Sequence, residues 1–412
     1  TWEVMGGILF RSLILRLARS KRVGFALASN STVSIANFLL SISIARVSSI
    51  EGFAEFSFAM VSYLFLTGLN KAAFTNTALS RPDDRSSYER SVKRTSLASL
   101  FAGLVLLVWA VSSGNSFLLV LALALPGLVI LDTIRIYNSA AENPKLSLVL
   151  SMTWSTVAVV VGMISIFKSM NPVLIFGFWA FSGCICGYMG AVISKVSILP
   201  IWSKEPSESS AAVVFSADYL IGAGGAQLTT GLLGALSDAK ILGAIRGAGT
   251  LLGPVNLVST TVRSLLLPFL SRENKKKSQF RSAIAVTLIQ ACLMGPLLLL
   301  LQFIPNWLGE QLLGETWKIA VLAILPMSID ALFNLIMSPA IAGHRVAFAG
   351  ARTLSLRLMI GIPRPFVVLY SAHLWGITGA AWSMALIAVV GSIMWWSSYF
   401  DLCRRSERLS SN

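Results

Sequence analysis

Apolar residues along this chain fall in blocks close to 20 residues long, separated by short polar and basic segments. A helix rises 1.5 Å per residue, so one block crosses the ~30 Å hydrocarbon core of a bilayer. Twelve blocks fit: 23–47, 53–79, 95–111, 117–137, 146–167, 173–194, 213–237, 243–270, 282–304, 319–342, 353–373 and 375–400. They predict an all-α integral membrane protein of about 12 transmembrane helices, because lipid offers no partner to unpaired backbone. Ahead of them, residues 1–22 place Arg11, Arg16, Arg19, Lys21 and Arg22 among leucines, as a cytoplasmic basic amphipathic anchor does.

Composition agrees with the pattern. The chain has 412 residues, of which 55% are hydrophobic and 12% charged, and its mean hydropathy is +0.75. Soluble domains carry roughly twice that charged fraction. In a soluble protein the net charge of +15 would suggest nucleic acid. Here the basic residues gather between spans, which points to anionic headgroups and to no nucleic acid.

Sidedness gives a second test. With the N-terminus in the cytoplasm, roughly 25 of the 33 basic residues lie inside and about 4 outside. The inner set includes the 81–94 and 272–281 loops and the 401–412 tail. Both termini are therefore expected in the cytoplasm, and the protein in the cell's inner or plasma membrane. The stretch 195–212 reads as a cytoplasmic linker between two six-helix lobes, 23–194 and 213–400. Six is even, so both lobes enter the bilayer in the same sense and are expected to be related by a pseudo-two-fold axis along the membrane normal.

Charges inside apolar spans mark candidate function, since each is costly unless paired or hydrated. Asp132 and Arg135 are three apart and share a helix face, as a structural ion pair or as part of a hydrated vestibule. Lys71 and Arg263 lie in the inner halves of the second and eighth spans, and Arg46 closes the first. Arg246 is in the eighth span, and Arg364 stands between Pro363 and Pro365, which locally break a helix and free carbonyls. Carboxylates at Asp218 and Asp330 can bind a proton or a sodium ion, or can be interhelical contacts. The seventh and eighth spans are rich in glycine, with Gly243–Gly247 and Gly249–Gly253 at close-packing spacing and Gly222–Gly225 loosening the seventh. Four cysteines and two histidines read as packing residues rather than a metal site, and no nucleotide-binding motif or cofactor signature occurs.

Several stretches carry a resemblance. Residues 36–47 with 51–56, 126–137, 243–256 through Pro268, 314–317 and 375–381 resemble the corresponding helices of polysaccharide-biosynthesis (O-antigen-type) flippases, and 243–268 their actinobacterial members. These belong to the multidrug/oligosaccharidyl-lipid/polysaccharide (MOP) exporter superfamily. The resemblance implies two lobes around a central cavity with alternating access, and export of a glycan carried on a polyprenyl pyrophosphate. With no nucleotide site, an ion or substrate gradient is expected to drive transport, with proton or sodium coupling through the intramembrane carboxylates, and glycan-assembly proteins are expected partners. On this reading Arg46, Lys71, Arg246, Arg263 and Arg364 furnish a cationic cavity for the phosphate, with Asp132, Arg135, Asp218 and Asp330 as coupling or structural groups. An ion-coupled multidrug exporter of the same superfamily is the alternative. A membrane glycosyltransferase or polymerase fits less well, since no large outer loop exists to carry its chemistry.

Overall fold

The computed structural model describes residues 21–81, 83–168, 170–200, 206–256, 266, 270 and 276–410. Among them there is helix and turn but no strand. Among the described residues nine helices are long and apolar enough to cross a membrane, or ten when a bent pair is counted as one. The fold is therefore an all-helical membrane bundle.

Two compact units divide between Gly231 and Leu232. The first contains α1 (Lys21–Val47), α2 (Ile50–Asn70), α3 (Arg85–Ser113), α4 (Ser116–Ala140), α5 (Pro144–Phe167), α6 (Pro172–Ile193) and α7 (Pro206–Ile221). Their starts are written locally. The side chains of Ser49, Asp84, Asn115, Asn143 and Asn171 each accept a backbone N–H of the following first turn, and Pro144 and Pro172 take the position where no donor is needed. α3 stops at Gly114, whose φ of 70° suits glycine alone at little cost. After α2 the chain continues through a π-helical turn, Lys71–Thr75, into Asn76–Leu79.

Small residues let these helices close up. A Cβ on Gly187 would lie 2.0 Å from the Gly127 carbonyl, and one on Gly127 2.4 Å from Cys184 Sγ, so α4 and α6 touch backbone to backbone. A buried aromatic cluster of Phe53, Phe56, Phe117, Phe176 and Trp179 packs α2, α4 and α6 together nearer the starts of α4 and α6. The lipid side is equally legible: Phe101, Leu104, Val108 and Val111 are exposed apolar residues along one side of α3.

The seventh predicted span differs from its expectation in two ways. Helix starts at Pro206, inside the predicted linker 195–212, so Asp218 sits near the end of α7 rather than at its start. The span then breaks at Gly222 with a 51° bend into α8 (Ala223–Leu236), where the glycines predicted loosening. The boundary between the units falls within α8.

The second unit contains α9 (Ala239–Leu251), α10 (Lys276–Leu300), the short α11 (Asn306–Leu313), α12 (Trp317–Val346), α13 (Gly350–Gly361) and α14 (Pro363–Ser410). Gly247 packs α9 onto Ala320 and Thr316, as the spacing predicts, whereas Gly249 faces open space. α12 and α14 meet where Gly343 lies under the Tyr399 ring. Beside it His344 is fully buried, with its ring nitrogens on the Ala340 carbonyl (2.9 Å) and Ser398 Oγ (3.0 Å). α14 turns at Gly376 (φ 59°, ψ −137°), so the 350–405 stretch covers both the eleventh and twelfth predicted spans. Most of the eighth span beyond Asn256 lies outside the described residues.

Candidate functional site

The charges inside the spans sort into pairs and unpaired cations. In the first unit Arg135 donates from Nη2 to Asp132 Oδ1 at 2.7 Å and from Nη1 to Asn30 Oδ1 at 3.0 Å. Asp132 neutralises it, and α1 and α4 are tied together. A polar seam continues from there: Asn70 Nδ2 donates to Thr133 Oγ1 at 3.1 Å, and Thr75 and Thr95 approach the same hydroxyl at 3.4 Å. Lys71, the first residue of the π turn, is exposed. Arg46 is exposed in the last turn of α1, where its charge complements the helix C-terminus. Asp218 is exposed, one turn before the Gly222 break.

In the second unit Arg364 and Asp330 approach at 3.8 Å, joining α14 to α12. Both are mostly buried, so each lowers the cost of the other. Arg364 follows the interruption at Ile362, where α13 gives way to the Pro363 start of α14, as the flanking prolines predict. Arg246 is different. Its Nε is buried and meets no acceptor, and among the described residues it has no ion-pair partner. α9, which carries it, packs against α12 and α14. Arg263 lies outside the described residues. Among the described residues no three His, Cys, Asp or Glu side chains gather as metal ligands would.

One cluster escaped the sequence reading. Glu208, on the first turn of α7, is 2% exposed. It accepts from Arg90 at 2.7 Å, Arg94 at 2.7 Å and Ser87 Oγ at 3.0 Å. Burial alone would raise its carboxyl. The Arg90 and Ser87 hydrogen bonds, with the charges of Arg90 and Arg94, outweigh that and hold it below the usual carboxylate range. Asp84, the cap of α3, is also held low, first by its Ser86 hydroxyl bond, and it pairs with Arg90 at 3.3 Å. Next to this cluster Tyr88 and Tyr137 stack with centroids 3.8 Å apart, and Arg85 bonds Glu142. The sequence reading placed Arg90 and Arg94 in the basic 81–94 loop, and nothing in it said that a glutamate 114 positions beyond Arg94 would pair with them.

No family model and no curated protein matches the sequence. Solved structures do match its fold. A lipid II flippase, MurJ, in an inward closed conformation superposes with a TM-score of 0.69 at 12% identity, covering 93% of this chain and 90% of that one. An inward-facing multidrug resistance transporter of the MATE family, MOP superfamily, gives 0.68 at 10% identity, covering 93% and 99%. A MOP superfamily transporter from Pyrococcus furiosus, described as having a binding pocket of reverse polarity, gives 0.58 at 12% identity, covering 94% of each chain. The chain thus has the fold shared by these transporters, over nearly its whole length.

Proposed function

We propose that this protein is a flippase that carries a lipid-linked oligosaccharide or polysaccharide precursor from the cytoplasmic to the outer leaflet by alternating access. The observation that carries the reading is Arg246, a cation on an apolar helix with a buried Nε and no anion beside it among the described residues. A lone guanidinium at low dielectric is costly until an anion arrives. A phosphate or pyrophosphate on the cargo is such an anion, and a guanidinium matches its geometry. Lys71 and Arg263 add positive charge in this reading, with Arg46 near the outer end, and Arg364 shares its charge with Asp330. Asp132, Asp218 and Asp330 are the groups through which protons or sodium ions would couple. The fold shared with a lipid II flippase supports the choice, as does the resemblance of the helix motifs to polysaccharide flippases.

The lipid-linked glycan, held on polyprenyl pyrophosphate, and the glycan-assembly proteins that make and use it are the partners this reading requires. The membrane is the inner or plasma membrane, with two six-helix lobes and both termini in the cytoplasm. Purified protein in vesicles tests it. A fluorescent polyprenyl-pyrophosphate sugar should become accessible to an outside quencher only in vesicles that contain the protein. Transport of organic cations without movement of that lipid would instead establish the multidrug reading.

A further inference from the structure

The first unit carries a groove of about 500 Å³ on its lipid side, between the end of α2, α3, α4 and α7. Its walls include Leu66, Leu69 and Ala73 from the α2 side, Ala98 and Ala102 from α3, and Leu125 from α4. The alanines make the hollow, since longer side chains there would fill it. Three polar residues line it, and two are turned away. Asn70 donates to Thr133 at 3.1 Å, and Ser99 donates to the Ser96 carbonyl at 3.1 Å. Ser216 of α7 forms part of the remaining wall. What the groove presents is hydrocarbon.

Its position says what fills it. Phe101 and Val105 line the groove and are also part of the exposed apolar side of α3, 70% and 50% exposed. The hollow is therefore continuous with the exposed apolar side of α3 that meets the bilayer. Its size falls within the range of small-ligand sites. The wall on the α7 side is held firmly. Tyr219 Oη donates toward the Leu64 and Phe65 carbonyls (3.3 and 3.1 Å), over Gly68, where a Cβ would lie 2.3 Å from that hydroxyl. At the other end of α7, Glu208 is gripped by Arg90 and Arg94. A groove left open by packing alone would close if α7 could slide inward, and these two anchors fix it.

We infer that this groove is a binding site for one acyl chain of a bilayer phospholipid, separate from any path taken by the transported cargo. Helices that pack around a hydrocarbon surface in lipid have no hydrophobic force to close them. A chain from the adjacent leaflet restores the van der Waals contacts that the alanines leave unmade.

The full-length protein in phosphatidylethanolamine–phosphatidylglycerol vesicles tests this, with a phospholipid bearing a diazirine in one acyl chain. After illumination, adducts should concentrate in segments 66–74 and 98–106, above the level at Leu123, which is 56% exposed on α4 and outside the groove. Ala102→Trp should bring labelling of 66–74 down to the Leu123 level while leaving Leu123 unchanged. Should that variant fail to fold, Ala98→Leu serves the same purpose with less added volume. Equal labelling at the groove and at Leu123 would overturn the inference, as would indifference to both substitutions in folded protein. Preferential labelling by a photoreactive polyprenyl phosphate over the phospholipid would overturn the assigned occupant. Because the readout is labelling, it is independent of whether the protein transports a glycan.

Discussion

Glu208 shows how much one carboxylate can hold. It is nearly inaccessible, and three donors from α3 converge on it. Removing one partner of a buried pair strands the other charges, at a cost of about 3 kcal/mol or more. Glu208→Gln should therefore lower the thermal midpoint in detergent by roughly 5 °C at neutral pH. The sign with pH follows from its depressed carboxyl. Its stabilisation is fully present above the unfolded glutamate range and is lost as pH falls through the lower folded value. The gap between wild type and Glu208→Gln should accordingly close on acidification, which a pH series of melting curves checks. None of this was visible beforehand. Lys204, Glu205, Pro206, Ser207 and Glu208 have the composition of a linker, although Pro206 is also a proper helix-opening residue. The Asp132–Arg135 pair was visible, because three-residue spacing on a helix leaves little freedom. The Asp330–Arg364 pair was not, since it joins residues on separate helices whose packing no local pattern encodes. A double-mutant cycle of Asp330→Asn and Arg364→Gln, read by thermal stability, should give a coupling of about 1 kcal/mol or more, against none for independent sites.

At the scale of elements, glycine decides where helices meet. The α4–α6 contact leaves no room for a side chain at Gly187, whose Cβ would strike backbone rather than a yielding side-chain tip. Gly187→Val should abolish monodisperse protein, while Gly177→Ala, with nothing within 4 Å, should leave elution and melting unchanged in size-exclusion and thermal assays. Most spans were legible because their hydrophobic blocks match bilayer thickness. The broken seventh span was legible as a glycine cluster, but its bend angle and its earlier start were not. Those depend on Tyr219 and Glu208 docking onto α2 and α3, contacts between residues more than 100 positions apart.

At the scale of the whole molecule, function depends on which intramembrane cations are balanced. Arg135 and Arg364 have carboxylates nearby, and Arg246 has none among the described residues. If Arg246 receives the cargo's phosphate, removing its charge impairs transport without destabilising the fold. The most direct measurement is the rate of polyprenyl-pyrophosphate-sugar translocation in vesicles holding equal amounts of folded wild type, Arg246→Lys and Arg246→Gln. Arg246→Gln should lose about 30-fold or more, and Arg246→Lys should keep partial activity. Translocation by Arg246→Gln at the wild-type rate would contradict this role of Arg246.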